Sequence, residues 1–301
     1  MEPYLKGYDY KTSGLSFSAL YMWRNINRFS WQVVGDYLCI AGISHLELEH
    51  GEILPFLFPP LTKTGRYEPQ KLRETICEAK RIFESQGFPF SIRLLPLHMI
   101  DVVKEACPGE LRYIEDRPNY DYIYKTQDLI DLKGRAYHGK KNHLNFFTRN
   151  YQYQYITLTS GLAEQAMRFI DAFNRRKNLP EHEERMLEME KEAMRDVFMN
   201  LESVGYLAGA ILIDDEIEAI SIGGALNKNT VTVHVEKANV LFRGLYQAIN
   251  NEFCKHAASS TKYINREEDM GISNLRKAKL SYKPVKLLEK HIAVFKADAP
   301  K

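Results

Sequence analysis

Cysteine is scarce in this chain. The 301 residues hold four, Cys39, Cys77, Cys107 and Cys254, with no C-x-x-C pair among them. That spacing excludes a disulfide framework or a zinc knuckle and leaves reduced core residues. An excess of one charge is also missing: 41 Lys and Arg face 39 Asp and Glu, a net +2. Bulk electrostatics therefore gives no reason to expect nucleic-acid or membrane binding, and only local patches matter. The longest apolar run, Leu54 to Leu61, is broken by three prolines and falls far short of the roughly 20 residues that span a bilayer. The opening MEPYLKGYDY has no basic, apolar and small-residue succession of a secretory leader. A cytoplasmic protein is expected, with the inner membrane face as the peripheral alternative. The nine histidines include no H-E-x-x-H spacing, and His45 with His50 flanks a turn, so no metal centre is expected. No G-x-S-x-G elbow or Walker-type phosphate loop occurs.

The composition, 45% hydrophobic and 27% charged, is that of a chain able to bury a sizeable core, and its length favours two domains. Alternating apolar residues predict strands at Trp31–Val34 and Tyr37–Ile43 around a Gly35-Asp36 turn. A stretch at Glu52–Phe58, a helix over Glu68–Gln86, a strand at Phe90–Leu95, a helix over Leu97–Ala106 and a strand at Leu111–Glu115 follow. A helix over Leu15–Arg28 precedes them. The later chain repeats this order: strands Tyr206–Ile213, Glu216–Leu226 and Thr230–Glu236, helix Leu245–Ala258, strand Lys262–Arg266, helix Asn274–Leu280 and strand Lys290–Lys296. Helices Leu162–Lys177 and Glu183–Glu202 come before this second meander. An α/β fold of two tandem halves, residues 1–125 and 126–301, with any reaction centre in the second, is the expectation. Tyrosines at 120, 122 and 124 and at 151, 153 and 155 read as half-buried strand faces, with base stacking as the functional alternative.

The element order of the second half resembles the GNAT N-acyltransferase fold, in which the third meander strand and the strand after the long helix splay apart around the donor. The turn Lys237 to Gly244 then opens that helix, and Lys237, Asn239, Arg243 and Gly244 are candidates to hold a phosphate or a 3′-terminal nucleotide. It lacks the Gln/Arg-x-x-Gly-x-Gly/Ala pattern of acetyl-CoA users, and a plain glycine helix start is the competing reading. The densest polar cluster, Asn265-Arg266-Glu267-Glu268-Asp269, leaves the C-terminal end of a strand, where α/β sheets hold ligands. Acyl transfer needs a base, donors for the oxyanion and an acid for the leaving group. Glu236 or Glu267 is the candidate base, Arg266 or Asn265 the charge stabiliser and Tyr282 the acid. The alternative is a solvated loop of ion pairs. His234, alternating on the same strand, reads as a structural residue. Two segments are basic: Lys133 to Arg149 and Arg276 to Lys290. Lys140, Lys141, Arg276 and Lys279 are the candidates there for a tRNA backbone or an anionic lipid, with a solvated helix face as the alternative.

The residues Asp128-Leu129, Leu132-Lys133-Gly134, Lys140-Lys141-Asn142 before Phe146, and Asn265-Arg266-Glu267 through Tyr282-Lys283-Pro284 resemble those of the bacterial proteins grouped with the C-terminal domain of phosphatidylglycerol lysyltransferase. That resemblance implies two GNAT-like halves similar to the Fem-type aminoacyl transferases. It implies transfer of an aminoacyl group from aminoacyl-tRNA to a lipid or cell-wall precursor. A CoA-dependent N-acyltransferase, using a CoA thioester as donor, and a non-catalytic RNA- or ligand-binding module remain the alternatives.

Overall fold

The computed structural model describes residues 1–6, 11–44, 54–175 and 181–296. His45, His50 and the first two residues of the expected stretch Glu52–Phe58 lie outside them, as do the last two of the expected helix ending at Lys177. Two compact units result: Met1–Asp121 with Glu268–Ile272 and Leu288–Lys301, and Tyr122–Glu267 with Ser273–Leu287.

The first unit begins with α1 (Glu2–Lys6) and α2 (Phe17–Trp23). The latter is shorter than the periodicity predicts: Ser16 caps its start, its side chain accepting from the Ala19 amide at 3.1 Å, and residues 24–28 form a turn that ends at Arg28 with φ +45. A meander follows, β1 (Ser30–Val34), β2 (Tyr37–Ser44) and β3 (Leu54–Leu57), then α3 (Pro69–Ser85), β4 (Ser91–Pro96), α4 (Leu97–Ala106) and β5 (Leu111–Glu115). Gly35 takes φ +58 in the two-residue turn between paired Val34 and Tyr37, a conformation open to glycine at no steric cost. Leu72, Ile76, Ala79 and Phe83 form the buried stripe of α3, packed with Met99, Ile100 and Val103 of α4 over Ile92 and Leu95. The spacing is that of one helix face, and each large apolar side chain contributes about 1.5–3 kcal/mol by leaving water.

The second unit runs β6 (Asp121–Lys125), α5 (Thr126–Asp131), α6 (His138–Asn150), β7 (Gln154–Thr157), α7 (Ala163–Arg175), α8 (Glu181–Met199) and α9 (Leu201–Val204). Then come the meander β8 (Leu207–Ile213), β9 (Glu216–Asn227) and β10 (Thr230–Ala238), helix α10 (Leu245–Ala257), β11 (Tyr263–Asn265), α11 (Ser273–Ser281) and β12 (Lys286–Leu288). In each unit the meander leads through a helix to a strand parallel to the third meander strand: β4 beside β3, and β11 beside β10. The α/β class with two mixed sheets is thus realised.

One assignment is corrected. The last strand, β13 (Lys290–Phe295), expected in the second half, lies antiparallel between β4 and β5 in the first sheet. The equivalent place beside β11 is taken by β6. The two halves therefore trade a strand, and in place of the single boundary expected at 125/126 the chain changes unit four times, at 121/122, 267/268, 272/273 and 287/288. Periodicity identifies a strand but not its partner. Burial fixes this one: Lys290 Nζ lies 2.6 Å from Asp121 Oδ1, and the Ser13 amide and hydroxyl donate to Asp121 Oδ2 and Oδ1 at 2.7 and 2.9 Å. A buried pair with its remaining lone pairs satisfied is tolerated, whereas an unpaired member is not.

The tyrosine rows also differ from expectation. Tyr122 and Tyr124 are wholly buried rather than half-buried, and of the second row only Tyr155 lies within β7, Tyr151 and Tyr153 packing around Phe147 at ring separations of 5.2 and 5.0 Å. No helix among the described residues is long and apolar enough to cross a membrane.

Candidate functional site

Pairing between β10 and β11 is short. It joins Thr230 to Tyr263, Val231 to Ile264 and Thr232 to Asn265, and stops there. One residue later, between Val233 and Val235, β10 bulges against β9, so His234 is the extra residue that bends the strand. Gly223 permits this: a Cβ there would stand 2.2 Å from the Thr232 carbonyl oxygen. The strands part, and the residues just past the parting, His234 and Glu236 on one side, Arg266 and Glu267 on the other, line the opening.

Two contacts span it. Arg266 Nη2 donates to Glu236 Oε1 at 2.8 Å, and Asn250 Nδ2 of α10 donates to Glu236 Oε2 at 3.0 Å. His234 Nδ1 lies 2.8 Å from Glu267 Oε1. Glu267 sits at φ +56, a left-handed conformation uncommon outside glycine, held by the Asn265 side chain accepting from its amide at 2.8 Å. The backbone of Arg266 is fixed by its amide donating to the Tyr122 carbonyl at 3.0 Å.

Aromatic rings enclose the guanidinium: its carbon is 4.9 Å from the Tyr282 ring centre and 5.8 Å from that of Tyr124. Lys140 Nζ, from the first turn of α6, stands 4.3 Å from the same Tyr282 ring. Burial holds the Tyr282 and Tyr124 phenols above their ordinary pKa. Burial, then the Arg266 charge, push Lys140 below its ordinary value. Arg266 is itself pulled down by burial, but its neighbours, led by Glu236, reverse this and leave it firmly charged. Buried Cys254 is pushed up to about 12.

Of the residues singled out for chemistry, Glu236, Arg266, Glu267 and Tyr282 come together, with Asn265 supporting Glu267 from a wholly buried position. The turn before α10 is more occupied than expected. Lys237 Nζ pairs with Glu190 at 2.8 Å, and Asn239 Nδ2 donates to Glu218 at 2.6 Å while its Oδ1 accepts from the Leu241 amide. Arg243 lies over the Phe146 ring at 4.5 Å. Gly244, at φ +91, abuts α6: a Cβ would fall 2.2 Å from the His143 carbonyl oxygen.

The basic candidates divide. Lys141 is exposed and Arg276 half-buried. Lys279 is corrected: it is buried, and its ammonium donates to the Arg266 carbonyl, so it does not face a polyanion. Lys140 joins the cluster rather than a solvated face. Sequence reasoning missed Tyr124 and Asn250 as parts of the site. The run Asn250-Asn251-Glu252, polar yet buried inside an amphipathic helix, was the available signal; Asn251 donates to the Leu129 and Ile130 carbonyls at 2.8 and 2.7 Å.

A conserved protein of unknown function from Bacteroides thetaiotaomicron superposes with a TM-score of 0.85 at 29% identity, covering 97% of this chain and 94% of that one. L-PGS from Bacillus licheniformis shares the fold, with a TM-score of 0.61 at 12% identity over 90% of this chain and 84% of that one. An uncharacterised protein of Mycoplasmoides gallisepticum is 23% identical over 177 residues, 57% of this chain and 55% of its own length, so the match spans about half of that relative. The family described as phosphatidylglycerol lysyltransferase, C-terminal, matches residues 6–294, nearly the whole chain, and the protein belongs to it.

Proposed function

We propose that this chain is an aminoacyl transferase that moves an aminoacyl group from aminoacyl-tRNA to a hydroxyl or amine of a lipid or cell-wall precursor. The family supports a transferase of acyl or aminoacyl groups. The observation that carries the reading is the parting of β10 and β11 with a carboxylate, a guanidinium and a phenol gathered at its mouth.

Glu267 is the base: Oε1 is held by His234, which orients the carboxylate toward an acceptor proton. Glu236 has both oxygens engaged, by Arg266 and Asn250, and so positions Arg266. The acceptor oxygen or nitrogen loses its proton to Glu267 and attacks the ester carbonyl. Arg266 Nη1 stabilises the tetrahedral oxyanion. The ester C–O bond breaks, and the leaving ribose hydroxyl takes the phenolic proton of Tyr282, which solvent restores. Burial keeps that phenol protonated at neutral pH, as a proton donor must be.

Incubation of the purified chain with radiolabelled aminoacyl-tRNA pools and lipid or cell-wall precursor extracts is the test. Label appearing in an organic-soluble or precursor product, reduced about 100-fold or more in Glu267→Gln and Tyr282→Phe, is expected. Acyl transfer from a CoA thioester with none from tRNA would replace the donor. Salt-sensitive tRNA retention without turnover would make the chain a binding module.

A further inference from the structure

The cation count at the site is out of balance. Around the Tyr282 ring stand two cations, Arg266 and Lys140, and one carboxylate, Glu236. Glu236 is fully engaged, by Arg266 Nη2 at 2.8 Å and Asn250 at 3.0 Å. Glu267 belongs to His234, and the Lys279 ammonium, placed on the Arg266 carbonyl, adds no negative charge. Tyr124 and Tyr282 remain neutral phenols. Among the described residues no carboxylate lies within ion-pair distance of Lys140.

A second observation is independent of charge. Arg266 Nη1 is buried and, among the described residues, has no hydrogen-bond partner. A buried donor left unmade forfeits its hydration without return, and native structures keep few of them unless a ligand completes the set. The guanidinium presents a planar fork, so with one arm given to Glu236 the other is fixed in direction. Lys140, on a flexible stem, reaches the same ring from α6.

We propose that Arg266 Nη1 and Lys140 Nζ form a subsite for a singly charged oxyanion. It deepens the function proposed above, because a tetrahedral acyl-transfer intermediate carries such an oxygen, and it makes Lys140 a catalytic residue rather than part of a docking surface. Outside turnover the same two donors bind a tetrahedral monoanion or a planar carboxylate. Arg266 supplies direction and Lys140 supplies charge, from surroundings whose cost to the ammonium an incoming anion would relieve. Sites built for a transition-state charge bind its stable mimics more tightly than the neutral ground state.

The test is calorimetric titration of the full chain with dimethyl phosphate, with acetate and with monomeric dihexanoyl phosphatidylglycerol, at constant ionic strength. The expected result is saturable binding of dimethyl phosphate, tighter than that of acetate, that weakens at least tenfold in Lys140→Met and is largely restored in Lys140→Arg. Lys140→Met should unfold at the wild-type temperature or above, because it removes a half-buried cation that has no carboxylate beside it. If dihexanoyl phosphatidylglycerol alone binds, with the same dependence on Lys140, the oxyanion is a lipid headgroup phosphate. Absence of saturable binding by all three anions, or binding indifferent to Lys140→Met, overturns the subsite. Neither result depends on transfer: a chain that binds the anion through Lys140 but moves no aminoacyl group keeps the subsite and loses the proposed reaction.

Discussion

Arg266 and Glu236 meet at 2.8 Å just where their strands cease to pair, with side chains only 13% and 10% exposed. The pair closes an opening that the backbone leaves, and it fixes the direction of the remaining guanidinium arm. Deleting one partner strands the other in a largely buried position, for which about 3 kcal/mol of destabilisation is expected in Arg266→Met. The double variant Glu236→Gln/Arg266→Met should cost less than the sum of the singles. Urea unfolding of all three variants checks this, and strict additivity would show that the pair is not coupled.

Lys290 and Asp121 hold the last strand in the first sheet from a fully buried position. Lys290→Met leaves the buried Asp121 carboxylate without its ammonium partner, and a loss of about 3–5 kcal/mol is expected. Hydrogen exchange should locate the loosening in β4, β5 and β13 before the second sheet. Uniform loosening of both sheets would refute that localisation.

Gly244→Ala meets two obstacles at once, a left-handed backbone and a carbonyl oxygen 2.2 Å from the new Cβ. Backbone oxygen moves only if α6 does, so a lower melting temperature equivalent to about 2–4 kcal/mol is expected. The displacement carries Lys140 with it, so loss of anion binding should accompany the loss of stability.

Cys39 and Cys254 are buried thiols raised from 9.0 to about 12, each chiefly by burial, and Cys107 is raised to about 11. In the native protein at pH 8 these three should resist maleimide, and Cys77, half-buried, should label first. Denaturant should expose all four. A raised folded pKa keeps the proton on in the native state while the unfolded chain loses it, so Cys39 and Cys254 stabilise fully below pH 9 and progressively less as pH climbs toward 12. Thermal unfolding across that window in wild type and Cys254→Ala measures the slope; a slope equal in the two proteins would remove Cys254 from the account.

The sequence by itself determined the elements. Period-3.6 stripes such as Leu72, Ile76, Ala79 and Phe83 specify a helix face, Gly35-Asp36 specifies a hairpin, and alternation gives the strands, because each depends on residues a few positions apart. It also singled out Glu236, Arg266, Glu267 and Tyr282, which the fold brings together, since polar residues clustered beyond a strand end stand out against an apolar pattern. Tertiary structure decided the rest. That β13 joins the first sheet and β6 the second depends on hydrogen bonds between segments more than a hundred residues apart, which no local pattern encodes. That Lys140 stands over Tyr282 instead of in water, that Lys279 is buried on the Arg266 carbonyl, and that Gly244 serves the packing of α6 are likewise consequences of helix packing. A charged side chain reads the same in sequence whether it faces solvent or a ring; only the elements brought around it settle its partner and its pKa.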